Sequence, residues 1–227
     1  MALRKPPRQL ALALPHEESL SRENFLEGPC NAHALALVES WPDWPNRIML
    51  LAGPEGCGKS HLAAIWADIA GARTISAHSL TTENVPVSLA TGALVIDDLD
   101  PSTFDMHALF HLLNLAREDG AYVLLMCRLP QTLFDIELRD LRSRLRAIPT
   151  IAMDAPDDML FRALIVKFCA DRQMNVDEAL VSYLATHIER SVTAARRAVA
   201  LLDTEALRLR RPVTRALAAE LLRGTAV

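Results

Sequence analysis

RIMLLAGPEGCGKSHLAAIWADIA, residues 47–70, passes from a continuous apolar run through a glycine-rich turn into a segment with Leu62, Ile65, Trp66 and Ile69 at helical spacing. The order is strand, turn, helix. The turn itself, GPEGCGKS at residues 53–60, matches G-x-x-x-x-G-K-[ST] in the strand-to-helix setting that this motif requires. Glycines at 53, 56 and 58 let consecutive backbone N–H groups turn inward around phosphate oxygens. The helix that follows adds its positive N-terminal end. Lys59 is expected to neutralise the β and γ phosphates of a nucleotide, and the Ser60 hydroxyl to bind Mg²⁺.

Working outward, ALVIDD at residues 93–98 is a second apolar strand that ends in acid. Such a strand carries its carboxylate to the C-terminal edge of a parallel sheet, beside the phosphate loop. Asp97 is expected to hold Mg²⁺, directly or through water. Asp98 is the candidate to orient or deprotonate an attacking water. Further strands are expected at ARTIS, YVLLMC and, more weakly, IPTIAMD, with a helix at DMHALFHLLNLARED. Apolar strands alternating with amphipathic helices imply an α/β fold with a parallel sheet covered on both faces. After Met153 the strands stop. DDMLFRALIVKFCADR is helical, with Phe161, Leu164, Ile165 and Phe168 on one face, and Asp177, Ser191 and Thr214 are suitable N-caps for three more helices. An α/β body over residues 23–153 and a small helical domain over residues 154–227 are therefore expected, after a tail of residues 1–22.

Of the 227 residues, 51% are hydrophobic, which suffices for a sizeable core, and no apolar run approaches a membrane span. The cysteines at 30, 57, 127 and 169 are scattered without a CxxC pair, the usage of a reducing cytoplasm rather than of a disulfide framework or zinc site. The net charge of −4 argues against a general nucleic-acid binder. It conceals an asymmetry: residues 1–138 hold 9 Lys and Arg against 17 Asp and Glu, and residues 139–227 hold 15 against 11. A molecule with one acidic and one basic end can associate head to tail with a relative or with itself. Trp41 and Trp44, in WPDWPN, are expected to pack in a turn.

RQLALALP, residues 8–15, alternates Leu10, Leu12 and Leu14 with Gln9, Ala11 and Ala13. The run is too short for a secretory signal and stops at Pro15 and two glutamates. An edge strand that docks on its own domain is left open.

The order of motifs resembles the AAA+ module of the bacterial initiator DnaA over roughly residues 23–223. GPEGCGKSHL and LVIDDLD resemble its Walker A and Walker B motifs. NFLEGPCNAHALAL, from Asn24, resembles the stretch that opens that module and packs near the adenine. LRSRL, residues 141–145, resembles its box VII, whose second arginine is the arginine finger, here Arg144. The resemblance implies a P-loop AAA+ domain followed by an all-helical lid. It implies ATP or ADP with Mg²⁺ held by Pro54, Glu55, Gly56, Cys57, Gly58, Lys59, Ser60 and His61, with Phe25 and Leu26 beside the base. Two positions depart from the pattern. The sensor 1 position falls on Cys127 or Arg128, and the sensor 2 arginine falls on Thr193, with Arg196 nearly one turn later as the nearest substitute. Weak intrinsic hydrolysis is therefore expected.

The sequence ends at Val227, after the lid helices, and only residues 61–93 separate the Walker motifs, so neither DNA element of an initiator is expected. This is similar to the Hda family, DnaA-related proteins that inactivate the initiator. Members of that family carry a sliding-clamp-binding peptide of the form Gln-Leu-x-Leu-x-Leu near the N-terminus, which Gln9, Leu10, Leu12 and Leu14 fit. The resemblance thus implies a cytoplasmic regulator that docks on the DNA polymerase sliding clamp, has no sequence-specific DNA contact, and presents Arg144 to ATP bound by DnaA. The alternative is a DnaA- or DnaC-like ATPase acting in origin or helicase-loader assembly.

Overall fold

Five parallel strands form one sheet in the order β2-β3-β4-β1-β5: β1 (Ile48–Ala52), β2 (Arg73–Ser76), β3 (Ala93–Asp97), β4 (Tyr122–Cys127) and β5 (Thr150–Ala152). The computed structural model describes residues 20–130 and 136–224. Residues in register across the centre, such as Leu50 with Leu125 and with Thr150, fix the alignment. β1 reads as continuously apolar because both of its faces are covered. Ile48 and Leu50 face a core shared with α4 (Met106–Glu118) and α5 (Arg139–Arg146). Met49 and Leu51 face a second core shared with α1 (Ala32–Glu39) and α2 (Lys59–Ala70). A four-residue helix, α3 (Val85–Ser88), lies between β2 and β3.

Trp44 stacks on Trp66 of α2, ring centroids 4.8 Å apart, and Trp41 meets Tyr122 edge-on at 5.7 Å. The WPDWPN turn thus packs as expected, over the second core.

Four helices follow the sheet: α6 (Asp158–Asp171), α7 (Glu178–His187), α8 (Val192–Leu209) and α9 (Arg215–Gly224). They enclose a third core of their own, in which Phe161, Ile165, Leu180, Leu184, Val199 and Leu217 are buried. All three expected caps are in place. Asp177 accepts from the Leu180 N–H at 2.8 Å, Ser191 Oγ from the Ala194 N–H at 3.1 Å, and Thr214 Oγ1 from the Leu217 N–H at 3.3 Å. Ser191 is only 6% exposed, so water cannot replace it as acceptor. Ser191→Ala is expected to lower stability by about 1–2 kcal/mol, read as a fall of a few degrees in melting temperature; an unchanged melting curve would refute the cap's contribution.

Among the described residues no helix is long and apolar enough to cross a membrane, and the four cysteines are free thiols. Gln9, Leu10, Leu12 and Leu14 lie outside the described residues.

Candidate nucleotide site

The phosphate loop leaves the C-terminal end of β1, an inner strand between β4 and β5, and opens into a crevice at that edge of the sheet. That crevice is where open parallel sheets bind ligands. Gly53 N–H donates to Cys127 O at 3.2 Å, which ties the loop to the end of β4. A Cβ on Gly53 would stand 2.4 Å from the Met153 carbonyl oxygen, so the close approach of backbone to backbone requires glycine. Gly58, at φ 108°, is the N-cap of α2, and a side chain there would strain the turn. The first N–H groups of α2 consequently open toward the loop's concave side.

Lys59 curls over this cradle. Its ammonium donates to Gly53 O at 2.7 Å and Pro54 O at 2.9 Å. Ser60 Oγ lies 3.4 Å from Asp97 Oδ2, and Asp97 Oδ1 accepts the Asp98 N–H at 2.7 Å. The two Walker motifs, 37 residues apart in sequence, thus meet at the sheet edge. A hydroxyl beside one carboxylate is a sparse all-protein cage. It suits Mg²⁺, which keeps waters and takes further oxygens from phosphates. Asp98 is exposed, has a left-handed backbone at φ 54°, and lines the same cavity as Lys59 and Ser60.

That cavity, about 900 Å³, also includes Glu55, Gly56, Thr193 and Arg196. A second one of about 290 Å³ adjoins it, between the opening stretch of the body and the first helix of the lid. Phe25, Leu26 and His61 form one wall; Leu160, Leu164 and Phe168 form the other. Phe25 and His61 meet edge to face at 5.1 Å, and the His61 Nε2 donates to Ser21 O at 2.9 Å. An apolar slot with an aromatic edge, next to a phosphate cradle, fits a nucleoside base.

Gly56 joins the loop to the lid. Its carbonyl accepts the Val192 N–H at 2.7 Å, and a Cβ on it would stand 2.9 Å from Ser191 Cβ. Thr193 and Arg196, the two sensor 2 candidates, both reach the larger cavity; Arg196 also lines the smaller one, its guanidinium 5.2 Å from the Phe168 ring centroid. Pro54 lines neither cavity and contributes its carbonyl to Lys59.

Burial pushes the Cys57 thiol up, against the pull of the nearby Lys59 charge, and pushes the Cys127 thiol up to about 11. Both are protonated at neutral pH and act here as small apolar side chains. Cys127 is 2% exposed, so of the two sensor 1 candidates it is Arg128 that presents a charge to the cavity.

Arg144 stands apart. It is half-buried on α5, its guanidinium 4.8 Å from the Phe110 ring centroid of α4, and it lines neither cavity.

The sequence does not mark which lid residues border the slot, although Leu164 and Phe168 fall on one apolar face of α6. Periodicity cannot distinguish a face that meets its own core from one that borders a cavity.

A parallel sheet in this order, with the phosphate loop after β1, an acidic end to β3 and a helical lid, is the AAA+ P-loop fold. Domain III of the Thermotoga maritima replication initiation protein DnaA superposes with a TM-score of 0.71 at 22% identity, over 90% of this chain and 96% of that one. AMPPCP-bound DnaA from Aquifex aeolicus gives 0.64 at 20% identity, over 82% of this chain and 65% of that one. A variant of Thermotoga maritima RuvB gives 0.71 at 17% identity, over 90% and 71%. No protein-family model matches the sequence.

Proposed function

We propose that this protein is a nucleotide-bound, DnaA-like AAA+ regulator that docks on the DNA polymerase sliding clamp and promotes hydrolysis of ATP bound to the initiator DnaA, preventing re-initiation. In this reading residues 1–22 are the clamp-binding tail, 23–153 the nucleotide-binding body and 154–227 the lid. ADP or ATP lies between body and lid, with Lys59 and the loop N–H groups on its phosphates and Phe25, Leu26 and His61 on its base. Ser60 and Asp97 hold Mg²⁺, which screens phosphate charge. The observation that carries the reading is the separation of two sites. The phosphate loop faces its own cavity, whereas Arg144 is on α5, outside both cavities.

An arginine placed beside a neighbour's γ-phosphate stabilises the negative charge spread over its equatorial oxygens in a loose transition state. α5 adds Arg139, Arg142 and Arg146 around Arg144. The acidic nucleotide side of a relative is a complementary surface. The deciding experiment follows ATP pre-bound to DnaA, with this protein added, with and without clamp loaded on DNA. Hydrolysis should accelerate only when all are present. No acceleration, together with DNA-stimulated turnover by this protein alone above about one per second, would replace the reading with that of an origin or helicase-loader ATPase.

The tail gives a separate prediction. Burying Leu12 and Leu14 in a partner's groove is worth roughly 3–6 kcal/mol. Fixing six residues costs about 6–12 kcal/mol, so backbone hydrogen bonds and the stiffening prolines at 6, 7 and 15 must offset the difference. The affinity should therefore be modest, on the order of micromolar, with several protomers on one clamp gaining by proximity. Gln9→Ala and the pair Leu12→Ala/Leu14→Ala should each lose capture on immobilised clamp while keeping nucleotide and melting temperature. Early melting with clamp capture intact would make the stretch an edge strand of its own domain.

A further inference from the structure

Arg208, Arg210, Arg211 and Arg215 crowd into one corner of the lid: the last turn of α8, the connection that follows it and the first position of α9. All four are exposed. Two carboxylates answer them, Glu205 at 2.6 Å from Arg208 and Glu220 at 3.0 Å from Arg211. Arg210 and Arg215 have no carboxylate partner among the described residues. The Arg215 guanidinium instead lies 5.8 Å from the centroid of the Tyr183 ring, which stacks on His187 at 4.0 Å. Leu207, 61% exposed, stands in the same turn as Arg208. α8 begins under Gly56 of the phosphate loop, and its 18 residues carry its other end about 27 Å away. The four arginines line neither nucleotide cavity and are on different helices from Arg144.

The helices explain only part of this cluster. The C-terminal end of α8 carries partial negative charge and favours a cation nearby. Arg215 has the opposite setting, because it opens α9, where the partial positive charge of a helix disfavours it. Stability does not call for the arrangement either, since exposed ion pairs contribute little. Four guanidiniums against two carboxylates leave a positive surface on a chain whose net charge is −4. No lysine follows Lys167, so this part of the chain relies on the guanidinium, whose planar fork matches phosphate oxygens. We propose that this end of the lid is a docking surface for the phosphodiester backbone of duplex DNA, without sequence preference. Duplex DNA carries one charge per about 1.7 Å of its axis, dense enough to engage four arginines set so close in the chain. Glu205 and Glu220 give up their weak pairs to the phosphates, and Leu207 lies against sugar. A single exposed leucine offers a bilayer too little to bury, which disfavours a lipid surface. The proposal deepens the regulatory reading above, in which the clamp is loaded on DNA: the tail engages the clamp while the lid rests on the duplex.

The test is fluorescence anisotropy of a labelled 20-base-pair duplex titrated with the full chain, at several salt concentrations. Wild type should bind duplexes of unrelated sequence equally, with a dissociation constant of about 10⁻⁴ to 10⁻⁶ M near physiological salt. The logarithm of affinity should fall with the logarithm of salt at a slope of about −3 to −4, as three or four phosphates are neutralised. Arg210→Gln and Arg215→Gln should each reduce that slope by about one. Arg210→Glu/Arg215→Glu should weaken binding about tenfold or more, whereas Arg117→Glu, an equal charge change on α4 of the body, should alter it by about twofold or less. Melting temperatures should agree within a few degrees, as these side chains are exposed. No salt-dependent binding by wild type, or equal losses in the α4 control, would overturn the surface. Poly-glutamate or anionic phospholipid vesicles that bound as tightly as the duplex would assign the patch to an acidic protein or a lipid surface instead. The measurement needs neither clamp nor DnaA, so its failure would leave the regulatory reading standing, and failure of that reading would leave the DNA contact standing.

Discussion

Lys59→Ala is expected to weaken binding of Mg²⁺-ADP and Mg²⁺-ATP about a hundredfold or more. The ammonium lies inside the loop, where it donates to the carbonyls of Gly53 and Pro54. Those carbonyls converge on one point of the cradle, so the lysine holds the loop's curvature as well as supplying charge. Hydrogen bonds between charged groups are worth roughly 1.5–3 kcal/mol each. Losing contacts to two phosphates therefore accounts for about 3 kcal/mol or more, the stated factor. The bond to the Pro54 carbonyl is exposed and that to the Gly53 carbonyl only part-buried, so the melting temperature of the nucleotide-free protein should fall modestly. Calorimetry on the purified variant measures the effect, and unchanged affinity would show that the loop is not a phosphate site. In the presence of saturating nucleotide, wild type should melt later than Lys59→Ala, since a ligand that binds only the folded state stabilises it by mass action.

Arg144→Ala is expected to abolish stimulation of DnaA-bound ATP hydrolysis, a loss of about 10³-fold or more if the arginine works as fingers do elsewhere. Nucleotide affinity should be kept, because Arg144 lines neither cavity. Clamp capture should also be kept, because the proposed clamp peptide, residues 9–14, is a separate stretch of the sequence. Arg144 packs on Phe110, an interaction of about 0.5–1 kcal/mol at such a site, so the melting temperature should fall only slightly. Arg142 and Arg146 stand two residues to either side on the same helix and project in other directions. Alanine at either of them should therefore leave most of the stimulation. A variant of Arg144 that melts early but still stimulates would assign the residue to packing alone.

The body of the fold was legible because its signals are local. β1 is wholly apolar, the loop has glycines where left-handed backbone is needed, and α2 has its buried Leu62, Ile65 and Trp66 on one face. Asp105, Asp157, Asp177 and Ser191 cap their helices through side chains that reach only two or three residues along the chain. Less was legible where the determining contact is distant. α1 and the short α3 had no comparable signature in the sequence. Phe168 reads as part of an apolar helix face; it packs against the third core and also borders the slot, with Arg196 over its ring.

What the sequence determined by itself, then, is the order of the five strands with α2, α4 and the four helices after Met153, the phosphate loop and the acid that ends β3, since short-range sterics, periodicity and capping decide these. The sequence also pointed to Ser60 and Asp97 as partners, and they lie 3.4 Å apart. The tertiary structure alone decided the other pairings: it placed Glu55 against Arg128, seated Gly56 under the start of α8, and left Arg144 on Phe110 outside both cavities. The physical reason is that each of these pairings is closed by packing of the sheet and lid as whole bodies. A contact across dozens of residues depends on how those surfaces fit, and no local pattern encodes that fit.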